Sequence, residues 1–365
     1  MKILHIAEYA KGGVYTYINE LASRQQNIHE VYILASKRKS EPKFDIGTDK
    51  IFYYDYDRHP KYFLKTMLYY KKMINKIKPD IIHIHSTFAG LLCRLLFFIK
   101  NKKASIIYSP HGWSFTMDVS WFKKKIYALI EKFLTVKTDM IINISQSQQD
   151  EAIKFGINSK KMVVIYNGVP ESSHSIQSLK FDNNKIHILF VGRWDKQKGI
   201  DILFHAIREI NDDNLDFHIV GEQVLSDVKL DIPPQVKCYG WLDKDEIDQY
   251  YQASDCVIVP SRWEGFGLVA IEAMRNKKAV IASNRGALPE IVENNVNGLI
   301  FDMDKAPQSL IEVLRYIAGN KQKLEIMGEK GYEVYKKKFH IDMCHNQVLK
   351  LYEDVQFGRN VSYET

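Results

Sequence analysis

Paired cysteines are missing from this chain. Only four of its 365 residues are cysteine, Cys93, Cys238, Cys256 and Cys344, widely separated and without a CxxC pair. That spacing argues against structural zinc and against a secreted disulfide scaffold. Long apolar runs are missing too: LLCRLLFFI at 91–99 is interrupted by Arg94 and falls short of the ~20 residues a membrane-spanning helix needs. The opening MKILHIAEYA has too brief an apolar core for a signal peptide and reads as a first strand, so the chain is expected to stay in the cytoplasm. AKGGVYT lacks the GxGxxG spacing, and no acidic residue closes a following strand about 20 residues on, which disfavours a dinucleotide-dependent dehydrogenase. No internal repeat with a period of roughly 20 to 50 residues occurs, which removes solenoids and propellers.

What is present is ample material for two cores, with 45% hydrophobic residues, in a chain long enough for two domains. Short Ile/Val-rich runs recur at 3–7, 31–35, 80–85, 105–109, 139–144 and 162–166, each followed by a helical pattern. Such runs mark parallel strands buried on both faces of a doubly wound α/β sheet. The series restarts at 186–191, 217–221, 236–240, 256–260 and 279–283. The polar stretch between them lacks periodicity. The domains are therefore 1–168, a linker at 169–185, 186–341, and a C-terminal helix at 342–365 that could pack back on the first domain. Both are expected to be Rossmann-like and to face each other across a cleft.

Charge is uneven. Residues 1–170 hold 27 Lys+Arg and 14 Asp+Glu, whereas 171–365 hold 24 and 30. The basic character belongs to the first half.

In parallel sheets ligands bind beyond the carboxyl ends of the strands. Gly12-Gly13, Gly192-Arg193, Gly240-Trp241 and the stretch from Ser261 to Gly267 all follow strands and fall on those crests. In PSRWEGFGLVAIEAM at 260–274, the amides of Gly265, Phe266 and Gly267 sit at the positive end of a helix, able to donate to an oxygen-rich ligand. Glu264 can accept from sugar hydroxyls, and Glu272, about two turns on, addresses another part of the same ligand. An ordinary helix-start carboxylate and a solvated surface glutamate would look alike in isolation. In GRWDKQKGID at 192–201, Arg193 and Lys198 could clamp a diphosphate from two sides.

These segments, with RGALPEIVENNVNGLIF at 285–301, resemble the donor half of the retaining glycosyltransferases of family 4, which carry a Glu, seven residues, Glu motif on the GT-B fold. AEYAKGGVYTYINELA at 7–22 resembles that family's first glycine loop, SPHG at 109–112 its acceptor-side histidine, and YNGV at 166–169 its interdomain turn. The ordered set spans nearly the whole chain.

The resemblance implies that Arg193 and Lys198 neutralise the nucleotide diphosphate without a metal ion. It implies that Glu272 binds the ribose and that Glu264 lies near the transferred sugar, with the amides of Phe266, Gly267 and the adjoining Leu268. It further implies that Gly12 and Gly13 approach the phosphates, that His111 lies close to the sugar, and that Trp241 and Leu242 contact the base. The catalytic set is then Glu264, His111, Arg193 and Lys198, with retention at the anomeric carbon and no cofactor beyond the nucleotide sugar. Two positions depart from the family: Lys277-Lys278-Ala279 replaces Gly-Lys-Pro, and Arg285 replaces the first glycine of a Gly-Gly loop.

His83 and His85 alternate on a strand and point the same way, but no third ligand of suitable spacing is evident, so they read as satisfied histidines rather than metal ligands. The helices at 61–78, 94–103 and 121–133 set lysines beside aromatic and aliphatic residues. With the basic half, they suit an anionic membrane surface and an acceptor carried on a polyprenyl diphosphate. The expected partners are a nucleotide sugar, uridine-linked as in most similar enzymes with guanosine as the main competitor, and a glycan acceptor, on the inner face of the cytoplasmic membrane. No nucleic-acid module is present. The rival readings are a sugar-nucleotide epimerase of the same fold and an inactive binding subunit.

Overall fold

The computed structural model describes residues 1–38, 40–56, 58–99, 103–172, 179–182, 184–223 and 230–359. The linker expected at 169–185 and the C-terminal segment 342–365 lie partly outside them. The chain divides into two units, Met1–Asn167 with Ile341–Thr365, and Gly168–His340.

The first unit runs β1 (Lys2–Ala7), α1 (Gly13–Gln25), β2 (Glu30–Ser36), β3 (Ile51–Tyr54), α2 (Phe63–Ile77), β4 (Ile81–His85), α3 (Thr87–Ile99), β5 (Ser105–Ser109), α4 (Trp121–Thr135), β6 (Met140–Asn143), α5 (Gln146–Lys154) and β7 (Met162–Val164). All strand pairs are parallel, in the order β3-β2-β1-β4-β5-β6-β7. Because side chains alternate along a strand, Leu4, Ile6, Ile82, Ile84 and Ile106 enter one core with α2 and α3. Ile3, Ile81 and Ile107 enter the other, with residues of α1 and of the C-terminal helix. Arg94, which interrupts the apolar run of α3, is buried: its guanidinium donates to Glu131 Oε2 at 2.7 Å and lies 3.8 Å from the ring centre of Tyr108.

The second unit runs β8 (Ile186–Val191), α6 (Ile200–Ile210), β9 (Leu215–Val220), β10 (Val236–Cys238), α7 (Lys244–Ala253), β11 (Cys256–Val259), α8 (Leu268–Arg275), β12 (Ala279–Ser283), α9 (Leu288–Ile291), β13 (Gly298–Phe301), α10 (Gln308–Ala318) and α11 (Lys321–Val334). Its parallel sheet has the order β10-β9-β8-β11-β12-β13. Ile188, Phe190, Phe217, Ile219, Ile258 and Ile281 pack on one face against α6, α10 and α11. The last helix, α12 (Ile341–Gln356), belongs to the first unit and contributes Ile341, Val348, Leu351 and Tyr352 to its core.

Both sheets are thus doubly wound and Rossmann-like. In each, the strand order reverses between the first strand and its neighbour from the second half, β1 with β4 and β8 with β11. The loops leaving those strands are where such sheets bind ligands.

Candidate active site

In the second unit two such loops are sewn together. The loop after β8 carries Arg193 to Gly199, and the loop after β11 carries Pro260 to Gly267. Gly199 has φ +68, and a Cβ there would stand 1.9 Å from the Pro260 carbonyl oxygen, so glycine is what allows the approach. The Arg262 amide donates to the Gln197 carbonyl at 2.8 Å, and its guanidinium grips Asp201 at 2.7 and 2.6 Å. At the end of this seam Lys198 Nζ donates to Glu264 Oε2 at 2.6 Å, and Ser261 Oγ donates to the same oxygen at 3.2 Å. Both partners are largely shielded, with Lys198 and Glu264 side chains 20% and 11% exposed.

The sequence reading paired Lys198 with Arg193, yet their contacts differ. Arg193 stays on its own loop, with Nη2 3.0 Å from Gln197 Oε1 and 3.2 Å from Asp195 Oδ2. Asp195 Oδ1 accepts from the Lys198 amide at 2.9 Å, tying Arg193 and Lys198 to one carboxylate.

Helix α8 starts at Leu268, with Gly267 before it in a left-handed conformation and no side chain capping it. Gly265 and buried Phe266 lead into that start. Glu272, half-buried on α8, accepts from the Tyr251 hydroxyl of α7 at 2.9 Å. Tyr251 is fully buried, and burial with the Glu272 charge pushes its hydroxyl well above its ordinary pKa, so it stays a donor. Trp241, exposed, and Leu242, half-buried, follow Gly240, whose carbonyl accepts from the Gly221 amide at 2.7 Å. A Cβ on Gly221 would stand 2.0 Å from the Gly192 carbonyl oxygen, so the β8, β9 and β10 loops meet at bare backbone.

In the first unit Gly12 (φ +54) and Gly13 open α1 beyond β1, with the pair exposed. His111 follows β5 at φ +55, an uncommon conformation for a residue with a Cβ. His111 Nε2 lies 3.0 Å from His85 Nδ1 and its ring stands edge-on to Tyr17. Burial lowers the His111 pKa to about 3.

Here the structure corrects one reading. His83 and His85 do have a third histidine beside them: the β1–β4 register sets His5 opposite His83, and ligand-type atoms of the three lie within 4.8 Å of one another. No spacing rule connects residue 5 to residue 83; only strand pairing does. These rings are hydrogen-bonded, with His83 held by Ser109 Oγ at 2.7 Å and the Tyr352 hydroxyl at 2.5 Å. A second such group, His187, Asp216 and His218, is likewise engaged: Lys237 Nζ lies 2.6 Å from Asp216 Oδ2, His187 Nε2 lies 2.6 Å from the Asp182 carbonyl, and His218 Nδ1 lies 2.8 Å from the Tyr239 hydroxyl.

Two family models match the chain in the order of its units. "Glycosyltransferase Family 4" covers residues 11–173, and "Glycosyl transferases group 1" covers residues 172–334. The chain belongs to the family 4-like glycosyltransferases of the GT-B fold.

It is 35% identical over 324 residues to an uncharacterized 41.2 kDa protein in the cps region of Klebsiella pneumoniae, covering 86% of this chain and 89% of that protein. It is 26% identical over 319 residues to the UDP-Gal:alpha-D-GlcNAc-diphosphoundecaprenol alpha-1,3-galactosyltransferase of Escherichia coli, covering 78% of this chain and 81% of that one. Among solved structures, HepE of Anabaena in complex with UDP superposes with a TM-score of 0.80 at 20% identity, over 97% of this chain and 100% of that one.

The two departures from the family pattern have local accounts in this glycosyltransferase. Lys277 adopts φ +59, the left-handed conformation a glycine would take more readily. Arg285 pairs with Asp304, while Gly286 is kept because a Cβ there would stand 2.0 Å from the Glu264 carbonyl oxygen.

Proposed function

We propose that the chain is a retaining glycosyltransferase that moves a hexose or N-acetylhexosamine from a uridine-linked nucleotide sugar to a lipid-linked or growing surface glycan, without a metal ion. The observation that carries this is the junction of Lys198 and Glu264, 2.6 Å apart where the loops of β8 and β11 meet. One residue of the pair matches the charge of a leaving diphosphate, and the other accepts hydrogen bonds from a sugar.

Departure of the nucleotide leaves negative charge on the diphosphate and positive character on the sugar. Lys198 and Arg193 stabilise the first as it develops, helped by the start of α8 at Gly267 and Leu268. Glu264 positions the sugar with Phe266 and Gly267, and His111 contacts it. Glu272, oriented by Tyr251, takes the ribose hydroxyls; Trp241 and Leu242 take the base, and Gly12 and Gly13 the phosphates. Two fixed cations supply the neutralisation that a metal gives elsewhere. The uridine nucleotide and the polyprenyl-diphosphate acceptor are supported by the names of the Escherichia coli relative and of the HepE complex.

Association with the inner face of the cytoplasmic membrane is part of the same reading. Helix α4 exposes Phe122, Leu129 and Phe133 at 72%, 67% and 54%, with Lys123, Lys125 and Lys132 exposed around them. Its one acidic residue, Glu131, is buried against Arg94. Apolar residues ringed by cations fit an anionic bilayer. A second copy docked on the same face would set lysines against lysines. Among the described residues no helix is long and apolar enough to cross a membrane.

The test is product analysis. With an α-linked UDP-sugar, an undecaprenyl-diphosphate-linked acceptor and EDTA, the reading predicts an α-linked product by NMR. A β-linked product, or conversion of the donor to another sugar nucleotide without any acceptor, contradicts it.

A further inference from the structure

A file of three imidazoles leads from the interior of the first unit to His111. His5 and His85 lie on the face of the sheet covered by α1 and α12, where Ile3 and Ile81 supply apolar packing earlier on the same strands. Gln25 Oε1 lies 2.8 Å from His5 Nε2, His5 Nδ1 lies 3.0 Å from His85 Nε2, and His85 Nδ1 lies 3.0 Å from His111 Nε2. Gln25, His5 and His85 are fully buried. His83 is not in the file, since Ser109 and Tyr352 take its two nitrogens. Burial lowers His5 to about 4 and His111 to about 3, and holds His85 well below its ordinary pKa. Each ring is therefore neutral near pH 7 and carries one N–H.

A neutral imidazole has one donor and one acceptor nitrogen, so the direction set at one end of such a file is passed to the other. The Gln25 carbonyl only accepts, which puts the His5 proton on Nε2 and leaves Nδ1 to accept. His85 then donates from Nε2 and accepts at Nδ1, and His111 donates from Nε2 in turn. The nitrogen end of the Gln25 amide completes no hydrogen bond among the described residues.

We propose that Gln25, His5 and His85 are positioning residues: their hydrogen-bonded file fixes His111 as the Nε2–H tautomer and presents Nδ1 as an acceptor for a hydroxyl of the transferred sugar. This rests on the reading that His111 contacts the sugar. The polarity matters to the chemistry. A hydroxyl that donates to a nitrogen keeps its electron density and does not oppose positive charge on the ring, whereas one that accepts an N–H withdraws from it. His85 and His5 touch no substrate and act only through His111.

The experiment is histidine ¹⁵N NMR on the full chain near pH 7.5, with His111→Asn assigning the His111 signals. The proposal predicts protonation at Nε2 alone for His5, His85 and His111, with N–N couplings across the His5–His85 and His85–His111 hydrogen bonds. Protonation of His111 at Nδ1, or absence of both couplings, overturns it. Gln25→Met, which removes the accepting oxygen, should lower kcat about tenfold with donor KM unchanged, and Gln25→Glu, which keeps an accepting oxygen, should restore it. Equal kcat in the two folded variants also overturns the proposal. A UDP-sugar that leaves the His111 signals unmoved overturns instead the placement of His111 at the sugar, because the tautomer is read without ligand.

Discussion

Lys198 Nζ lies 2.6 Å from Glu264 Oε2, and the contact joins two loops that leave neighbouring strands 66 residues apart in sequence. Each group steadies the other. The ammonium loses less rotamer freedom on meeting a diphosphate because Glu264 already holds it, and the carboxylate is oriented in turn.

Removing the cation should therefore cost turnover more than binding. Lys198→Ala is expected to lower kcat by roughly 10²- to 10³-fold, with Lys198→Arg retaining part of the rate. If Glu264 positions the sugar rather than attacking it, Glu264→Gln should keep measurable transfer and form no covalent sugar adduct. Steady-state kinetics and intact-protein mass spectrometry check both outcomes.

Gly199 is the backbone condition for that contact. Gly199→Ala would place a methyl 1.9 Å from the Pro260 carbonyl oxygen at φ +68, so the loops must separate. A loss of about 1–3 kcal/mol and a fall in kcat are expected, read by denaturant unfolding and by transfer assay.

Acid stability follows from the buried histidines. His5 titrates at about 4 in the fold, and His83 and His85 lie well below their ordinary value because burial disfavours the charged ring. In the unfolded chain these rings take up protons near pH 6.5. Below that pH the unfolded state binds more protons, so stability, complete above pH 6.5, falls as pH drops toward about 4. Each fully buried ring contributes about 1.4 kcal/mol per pH unit in that window. Thermal unfolding should shift down by at least ~5 °C between pH 7 and pH 5.5; a flat profile contradicts this.

Vesicle sedimentation tests α4. The protein should bind phosphatidylglycerol vesicles at low salt and lose that binding as salt screens the lysines. Phe122→Ser with Leu129→Ser should weaken binding at every salt concentration and leave the turnover of a soluble acceptor unchanged. Equal binding to neutral vesicles removes the role of Lys123, Lys125 and Lys132.

Much of this was legible in the chain. Strands buried on both faces announce themselves as unbroken Ile/Val runs, and glycine-rich loops placed Gly12, Arg193 and Glu264 at strand ends, with Glu272 on the helix that follows. Two of the four edge strands, β3, IFYY, and β13, GLIF, were missed because each is a four-residue run, aromatic-rich in the first and opened by glycine in the second. The partners that orient the site were also hidden. Tyr251 reaches Glu272 from another helix, and His5 meets His85 through strand pairing, so neither has a sequence interval that could signal it.

The most direct test is calorimetric titration of UDP into the chain in EDTA, with wild type and Arg193→Ala side by side. The account predicts binding by the wild type without any divalent cation, weakened at least ~10-fold in the variant, as loss of a charge-assisted contact requires. Binding of neither UDP, GDP nor ADP, or binding that appears only when a divalent cation is restored, would contradict it.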